Sequence, residues 1–406
     1  MFSLHANVSK PVSKMIIDQI DVLALQARTS REVRTSFGIM HVRPAVLVRL
    51  KAEDGTVGWG ESWVNFPSWS LHERIYTIAE GLAPRLVGLE FDKVQSVVEC
   101  LRNDLRILSL QWGAPGPVAQ SISAIDVALW DLKAKSEGVP LYRLLGGDRS
   151  HIPVYASGLG PVEPVALARH MADFGVTAFK LKVGFDRQVD LENLANLRRE
   201  FGHDATLLVD VNQAWSLRQA LSFLPALQDQ DVHWLEEPLA ADDADGWSRL
   251  AEVSSIPLAA GENIYDARAF GEHLKAGTIG VAQPDVTKTG GISFALDVLR
   301  YSREHGRDYA LHFLGSVVGL TASAHVHAST VGTMPLEFDA NPNPLREQLD
   351  VPLQLDQGSL VLSDAPGLGF DLPIDALQPF IVHHRTIRRD DRTSLREDDY
   401  RVNIGA

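Results

Sequence analysis

Seven ionisable residues recur through the second half of this 406-residue chain at nearly equal intervals: Lys182, Asp210, Glu236, Glu262, Asp285, His312 and Glu337. Successive subtraction gives gaps of 28, 26, 26, 23, 27 and 25 residues, the length of one strand, one helix and the loops joining them. Each residue ends a short apolar, β-leaning run: AFKLK, TLLVD, VHWLE, IPLAAGE, GVAQPD, DYALH and MPLE. Alternating strand and helix specifies a parallel sheet. Closed into a (β/α) barrel, that sheet gathers the C-terminal ends of its strands around one rim, so the pattern predicts one site built from distant residues. The run VYASG, with Val154 placed 28 residues before Lys182, supplies a first strand and completes eight units.

The segments between these runs read as helices. DLENLANLRREFG, SLRQALSFLPALQ, DGWSRLAEVSS, DARAFGEHLKAG and SFALDVLRYSREHG each carry a one-sided apolar face, and three run into a glycine suited to a C-cap. The first third of the chain is different. Strands (IIDQIDVLAL, PAVLVRL and VGWGES around the turn KAEDGT) precede helices (LHERIYTIAEGLAPRLVG, FDKVQSVVECLRNDLRILS and VAQSISAIDVALWDLKAKSEG, closing at Gly138), the pattern of an α+β domain. The expected fold class is therefore α/β: a modified TIM barrel over 149–344 with an N-terminal α+β capping domain over 15–148. Residues 345–385 are expected to pack back on the capping domain, and 386–406 to form a charged mobile or intersubunit arm.

Composition excludes several classes of function. A net charge of −14, from 52 acidic against 38 basic residues, disfavours nucleic acid and anionic membranes. No run reaches the ~20 apolar residues of a membrane span. The single cysteine, Cys100, cannot form an internal disulfide, and the start MFSLHANVSKPVSK lacks a signal peptide's apolar region. A cytoplasmic protein acting on small molecules is expected. Cys100 itself reads as core.

Asp210, Glu236 and Glu262, on three successive strand ends, would repel one another unless a cation compensates them. An all-oxygen set without histidine or cysteine suits Mg²⁺ better than zinc. Lys180 and Lys182 flank Leu181 and share a strand face. If Leu181 packs outward, both ammonium groups face the barrel axis, and Lys182 beside a metal and a second cation is expected to have a depressed pKa, as a base requires. Asp285 beside His312 would fix its tautomer and stabilise its imidazolium. Glu337 could donate a hydrogen bond to a substrate oxygen if protonated, or pair with Lys180 or Arg346. His325 and His327, two apart on a helix, point to different faces and read as structural.

These residues resemble the mandelate racemase subgroup of the enolase superfamily, within the mandelate racemase/muconate lactonizing enzyme family. The resemblance covers about residues 15–385. It rests on SAIDVALWDLKAK and LYRLLGG, Lys180-Leu181-Lys182, Asp210-Val211-Asn212, Glu236-Glu237-Pro238, Gly261-Glu262-Asn263, Gln283-Pro284-Asp285 with Gly290-Gly291, and His312 with GSVVGLTAS. It implies that a substrate carboxylate binds Mg²⁺ held by Asp210, Glu236 and Glu262, and that a base removes the α-proton to give an enediolate. Lys182 would be the base on one face and His312, oriented by Asp285, the base or acid on the other. Lys180 and Asn212 would bind substrate and Glu337 would be the electrophilic acid. In the muconate-cycloisomerase-like branch a second lysine replaces the His–Asp pair. Lid loops are expected at 27–43, carrying Arg28, Arg31, Arg34, His41 and Arg43, and at 62–69, carrying Trp63, Phe66 and Trp69. That polar lid, and the similarity of LEFDANPNPLREQL to the same segment of sugar-acid dehydratases and galactarolactone cycloisomerases, imply a polyhydroxy acid. The sequence thus points to an Mg²⁺-dependent acid-sugar dehydratase, with racemase or epimerase and lactone cycloisomerase as alternatives, a noncatalytic metal- and ligand-binding homologue as the rival from another class, and a homo-oligomeric assembly.

Overall fold

The computed structural model describes residues 14–330 and 334–390. Strands β1 (Met15–Thr35), β2 (Gly38–Ala52) and β3 (Val57–Ser62) form an antiparallel sheet, with β4 (Glu90–Phe91) pairing β1. The turn at KAEDGT forms where Gly55 takes φ +88°, a conformation that disfavours a side chain. The helices Val94–Trp112 and Pro115–Glu137 both close on left-handed glycines, Gly113 and Gly138. Where one long helix was expected over LHERIYTIAEGLAPRLVG, helix Ser70–Tyr76 instead passes into a π-turn, Thr77–Leu82, and a last turn, Ala83–Leu86. Gly81 weakens the ladder there and Pro84 lacks the N–H that would continue it. Helix Pro115–Glu137 lies directly on β3. A Cβ at Gly60 would stand 2.0 Å from the Ala124 carbonyl oxygen, so glycine permits the approach. The alternation of the strand leaves Glu61 on the opposite face.

Eight parallel strands follow: β5 (His151–Leu159), β6 (Ala178–Lys182), β7 (Thr206–Asp210), β8 (Val232–Glu236), β9 (Leu258–Ala260), β10 (Val281–Ala282), β11 (Asp308–Tyr309) and β12 (Leu336–Asp339). They pair in chain order from β5 to β11, and β12 pairs β5. A bond from Met334 N to Tyr309 O, 3.0 Å, joins the last strand to β11 and closes the ring. Helices Pro164–Ala172, Arg187–Phe201, Leu217–Asp229, Ala244–Val253, Ala267–Ala276, Gly291–Glu304 and Val317–Ala328 connect the strands. Side-chain oxygens of Asp186, Ser216, Asp243, Asp266 and Ser316 cap five of them, which explains where those helices start. Together these elements form a (β/α) barrel with an N-terminal capping domain.

The chain then adds a hairpin to the barrel before it returns to the cap. Strands β13 (Gln354–Asp356) and β14 (Ser359–Val361) form a hairpin on β5, and β15 (Ile381–Arg388) pairs antiparallel with β1. The expected charged arm from 386 therefore begins as strand: His384 and Thr386 both bond Asp21, at 3.2 and 2.7 Å, although the run lacks apolar periodicity. Residues 391–406 of that arm lie outside the described residues. Cys100 is half-buried, with Sγ 3.6 Å from Asp104, and is not the core residue expected from its helix face. No helix among the described residues is long and apolar enough to cross a membrane.

Candidate active site

Inside the barrel, Tyr155, Ala178, Leu208, Trp234, Ala259, Val281 and Ala310 form a packed apolar layer. Two residues further along the strands, the inward positions become Lys180, Asp210, Glu236, Gln283 and His312, all buried. Period-two alternation sets this change from apolar floor to polar site, and Leu181 packs outward into the helix-facing core as expected.

Lys180 is fully buried and bonds Glu236 at 2.8 and 2.9 Å and Glu337 at 2.8 Å. Burial opposes its charge, but Glu236 and Glu337 raise its pKa well above the ordinary lysine value. Lys182, the last residue of β6, pairs with Asp210, the last of β7 and its partner in register. The depression of Lys182 is expected beside a metal ion; in the direct pairing with Asp210 the balance is different. Burial and Lys180 push its pKa down, yet the opposing carboxylates, Asp210 foremost, leave it raised. Glu337 is likewise ionised. Burial favours its neutral form, but Lys180, His312 and Lys182 hold it at about 2, so pairing with Lys180 is observed instead of a protonated donor. Asn212 donates both its backbone N–H and Nδ2 to Asp210, at 2.8 and 3.1 Å. Its buried Oδ1 has no hydrogen-bond partner.

On the other side, His312 Nδ1 is 2.7 Å from Asp285 Oδ2, as predicted, and Nε2 is 2.5 Å from Glu262 Oε2. Asp285 is fixed in turn by Thr287 N and Oγ1, at 2.6 and 2.7 Å. Burial disfavours the imidazolium, but Glu262, Glu337 and the Asp285 bond raise its pKa well above the ordinary value. His325 and His327 stand apart from the site. Tyr142 N donates to His325 Nδ1, His327 Nε2 lies 2.8 Å from Met334 O, and burial pushes both imidazoles down to about 4, as structural histidines.

Two residues not given a role from the sequence join this site. Lys288 bonds Glu262 Oε1 at 2.8 Å beneath the indole of Trp63, 4.2 Å from its ring centre. Glu237 bonds Asn263 and Gln213, at 2.8 and 3.1 Å, and burial beside Glu262 pushes its carboxyl up to about 7. DVTKTGG carried a usable signal for Lys288, a lysine three residues past a rim aspartate; nothing local separates Glu237 from its neighbour.

The lid segments are ordered differently from expectation. Residues 27–43 are the far end of the β1–β2 hairpin, not an irregular loop, and Ser36 Oγ at its tip donates to Val211 O at 2.9 Å. Arg28, Arg31 and Arg34 are exposed. Arg43 turns inward, fully buried, and donates to Asp339 Oδ2 at 2.6 Å. In the segment 62–69, Phe66 packs edge-on against Phe37 while Trp69 faces solvent.

Among the described residues no three carboxylate, imidazole or thiol groups converge as a metal cage. Asp210, Glu236 and Glu262 each face a cation instead. The donor set still fits a hard divalent ion. Asp210, Glu236, Glu237, Glu262, Asp285 and Glu337 place six buried or nearly buried carboxylates against the ammonium groups of Lys180, Lys182 and Lys288 and one imidazole. Burial, with the charges of Asp210 and Glu337 added to it and despite Lys180, pushes Glu236 up to about 8.

Residues 19–146 match the family described as mandelate racemase / muconate lactonizing enzyme, N-terminal domain, and residues 163–376 match enolase C-terminal domain-like. The chain belongs to the mandelate racemase/muconate lactonizing enzyme family of the enolase superfamily. It is 30% identical over 356 residues to a D-galactarolactone cycloisomerase of Agrobacterium fabrum, covering 83% of this chain and 91% of that protein. Among solved structures, a mandelate racemase/muconate lactonizing enzyme from Bordetella bronchiseptica RB50 is 40% identical with a TM-score of 0.83, covering 90% of this chain and 99% of that one. An L-talarate/galactarate dehydratase from Salmonella typhimurium LT2, liganded with Mg and L-lyxarohydroxamate, is 25% identical with a TM-score of 0.81, covering 95% and 99%.

Proposed function

We propose that this member of the family is an Mg²⁺-dependent enzyme that removes the α-proton of an acid sugar and eliminates its 3-hydroxyl as water. One observation carries the reading: a lysine and an imidazole, each able in principle to transfer a proton, flank a single buried carboxylate set. Lys182 on β6 and His312 beyond β11 are three strands apart one way round the ring and five the other, so they stand across the mouth.

Asp210, Glu236 and Glu262 would hold the metal, with the Asn212 carboxamide beside them. When bound, Mg²⁺ supplies electrostatic stabilisation of the charge that develops on the substrate carboxylate, and neutralises carboxylates that otherwise keep Lys182 and His312 protonated. Lys180 meets the substrate carboxylate with its ammonium. A second carboxylate beside Glu337 raises that acid's proton affinity by like-charge repulsion, so Glu337 then becomes the hydrogen-bond donor that it is not in the pairing seen here. Lys182 Nζ takes the α-proton from one face. His312, with Nδ1–H on Asp285, keeps Nε2 to accept a proton on the other face or to donate one to the departing 3-hydroxyl. Loss of the α-proton and the hydroxyl leaves an enol that tautomerises to a 2-keto-3-deoxy acid.

The same pair of bases also serves racemisation, epimerisation or lactone cycloisomerisation, and the galactarolactone cycloisomerase relative supports that second reading. Exposure of Arg28, Arg31 and Arg34 removes one argument for a polyhydroxy substrate, leaving the family's sugar-acid enzymes as its support. Semicarbazide detection of keto acid across a sugar-acid panel, with polarimetry in parallel, decides. Rotation change without keto acid selects the isomerase, and silence in both selects a noncatalytic binding protein. Asp210→Asn, Glu236→Gln and Glu262→Gln should each weaken Mg²⁺ binding at least tenfold by calorimetry; unchanged affinity in all three removes the metal assignment. A cytoplasmic homo-oligomer belongs to the same proposal, supported by the single cysteine and by exposed Ile107, Leu110 and Trp112 at the end of helix Val94–Trp112. Sedimentation velocity tests the assembly.

A further inference from the structure

The segment of the cap from Glu61 to Asn65 holds the two barrel loops that carry His312 and Asp285. Glu61 is 1% exposed, and its carboxylate accepts three hydrogen bonds from the barrel: Ser316 N to Oε1 at 2.8 Å, and Ser316 Oγ and Gly319 N to Oε2 at 2.6 and 2.7 Å. These donors form the first turn of helix Val317–Ala328, where unsatisfied N–H groups and the helix dipole favour a negative charge. Asn65 Nδ2 donates to Leu314 O at 2.6 Å, and Trp63 N donates to Thr287 O at 2.9 Å, two residues beyond Asp285. The spacing of GSVVG is what lets the carboxylate in. A Cβ at Gly315 would stand 2.6 Å from Glu61 Oε1, and one at Gly319 would stand 2.8 Å from Oε2.

His312 needs such support. Strand β11 ends at Tyr309, three residues before it, and β10 ends at Ala282, three before Asp285; past those ends the two segments are joined by the bonds from Ala310 N to Ala282 O at 3.0 Å and from His312 N to Pro284 O at 3.1 Å, and His312 is the last residue so held. Lys182 differs. It is paired in register with Asp210, and Val183 N bonds Asp210 O at 2.9 Å immediately after it.

We propose that Glu61 is a positioning residue for His312: a carboxylate of the capping domain that sets the loop after β11 and so aligns the imidazole for proton transfer on its face of the substrate. Cap docking and alignment of that one base become a single event, since Glu61 cannot leave without exposing three donors. Proton transfer at Lys182 does not depend on it. The inference rests on the two-base reading above.

The test uses the full-length Mg²⁺-loaded enzyme, with galactarate and its C2 epimer talarate as probes, and follows α-proton exchange in D₂O. Lys182→Ala and His312→Asn define which exchange belongs to which face. Glu61→Gln keeps the shape but turns an NH₂ donor against either Ser316 N–H or the Gly319 N–H and Ser316 hydroxyl pair. It should slow exchange on the His312 face about 100-fold, the effect of a misplacement of about 1 Å, while KM and Lys182-face exchange stay within twofold. Ser316→Ala, which keeps both backbone donors, should show a weaker effect on the same face, and it decides alone if Glu61→Gln does not fold. Equal slowing on both faces, or none, with the controls separating the faces, overturns the inference. If the controls do not separate the faces, the two-base reading fails and the inference with it. If neither probe exchanges in the unmodified enzyme, amide hydrogen exchange decides: faster exchange in Glu61→Gln confined to 310–320 and 283–288 supports positioning, and unchanged or general loss of protection overturns it.

Discussion

The two halves of the barrel mouth are built differently. On the lysine side, β6, β7 and β8 are each five residues long and end on Lys182, Asp210 and Glu236, so backbone ladders fix the functional side chains. On the histidine side, β9, β10 and β11 are three, two and two residues long, and Glu262, Asp285 and His312 stand beyond them. The cap treats the halves accordingly. It touches the lysine side with a hydroxyl, Ser36 on Val211 O and more weakly on Asn212 O, but grips the histidine side with a buried carboxylate, an amide and a stacked indole. Groups on full-length strands need little from outside, whereas groups just past short strands, held by single backbone bonds, borrow rigidity from another domain.

The strongest way to break this comparison is to remove the bases. Lys182→Ala and His312→Asn should each abolish α-proton exchange on one face by at least about 10³-fold, leaving the other face active. Loss of both faces in both variants, followed by NMR in D₂O, would show that one residue is structural. Next in size is the anchor of the hairpin. Arg43→Ala leaves Asp339 charged and buried with Arg346 Nη1 at 4.0 Å, and should lower unfolding free energy by about 3–5 kcal/mol in denaturant titration. A change below about 1 kcal/mol would mean that the hairpin is held elsewhere.

Glu61 sharpens the comparison through pH. Burial pushes its carboxyl up to about 7 from an ordinary 4.5, despite the Ser316 and Gly319 donors and with Asp285 adding like-charge repulsion. An acid raised on folding contributes stability fully present below pH 4.5 and lost as pH rises through 7. The stability of the unmodified protein minus that of Glu61→Gln should therefore fall across that window, by up to about 3 kcal/mol. A flat difference would place Glu61 in solvent contact. The smallest effect is expected from Ser36→Ala, which removes one hydroxyl bond worth about 1 kcal/mol. It should change Lys182-face exchange less than about fivefold, and a larger loss in kcat would mean that the lysine side also depends on the cap.

The same asymmetry explains which parts of the site were legible in the sequence. Lys180, Lys182, Asp210 and Glu236 follow from alternation on full-length strands, and their expected common face is observed. Glu262, Asp285 and His312 kept the spacing of strand ends although the strands stop short, because single backbone bonds, such as Gln283 N to Ala260 O at 2.9 Å and His312 N to Pro284 O at 3.1 Å, carry the pairing past those ends. The sequence places Lys182 among carboxylates but does not say which side chains touch, and contact with Asp210 raises its pKa against burial in the arrangement seen here.

The sequence alone determined the barrel, its rim residues and the alternation that turns them inward, because these depend on local periodicity and on the geometry of parallel strands. Glycines expected to end helices do so at Gly138, Gly202 and Gly277 for the same reason. Only the tertiary structure decided that Lys180 binds Glu236 and Glu337, that Lys288 holds Glu262, that Arg43 reaches Asp339 and that Glu61 caps a helix 255 residues away. Those partners lie on different elements or in different domains. No local pattern encodes such pairings, because burial and charge act through space and are fixed once the sheets close and the cap docks.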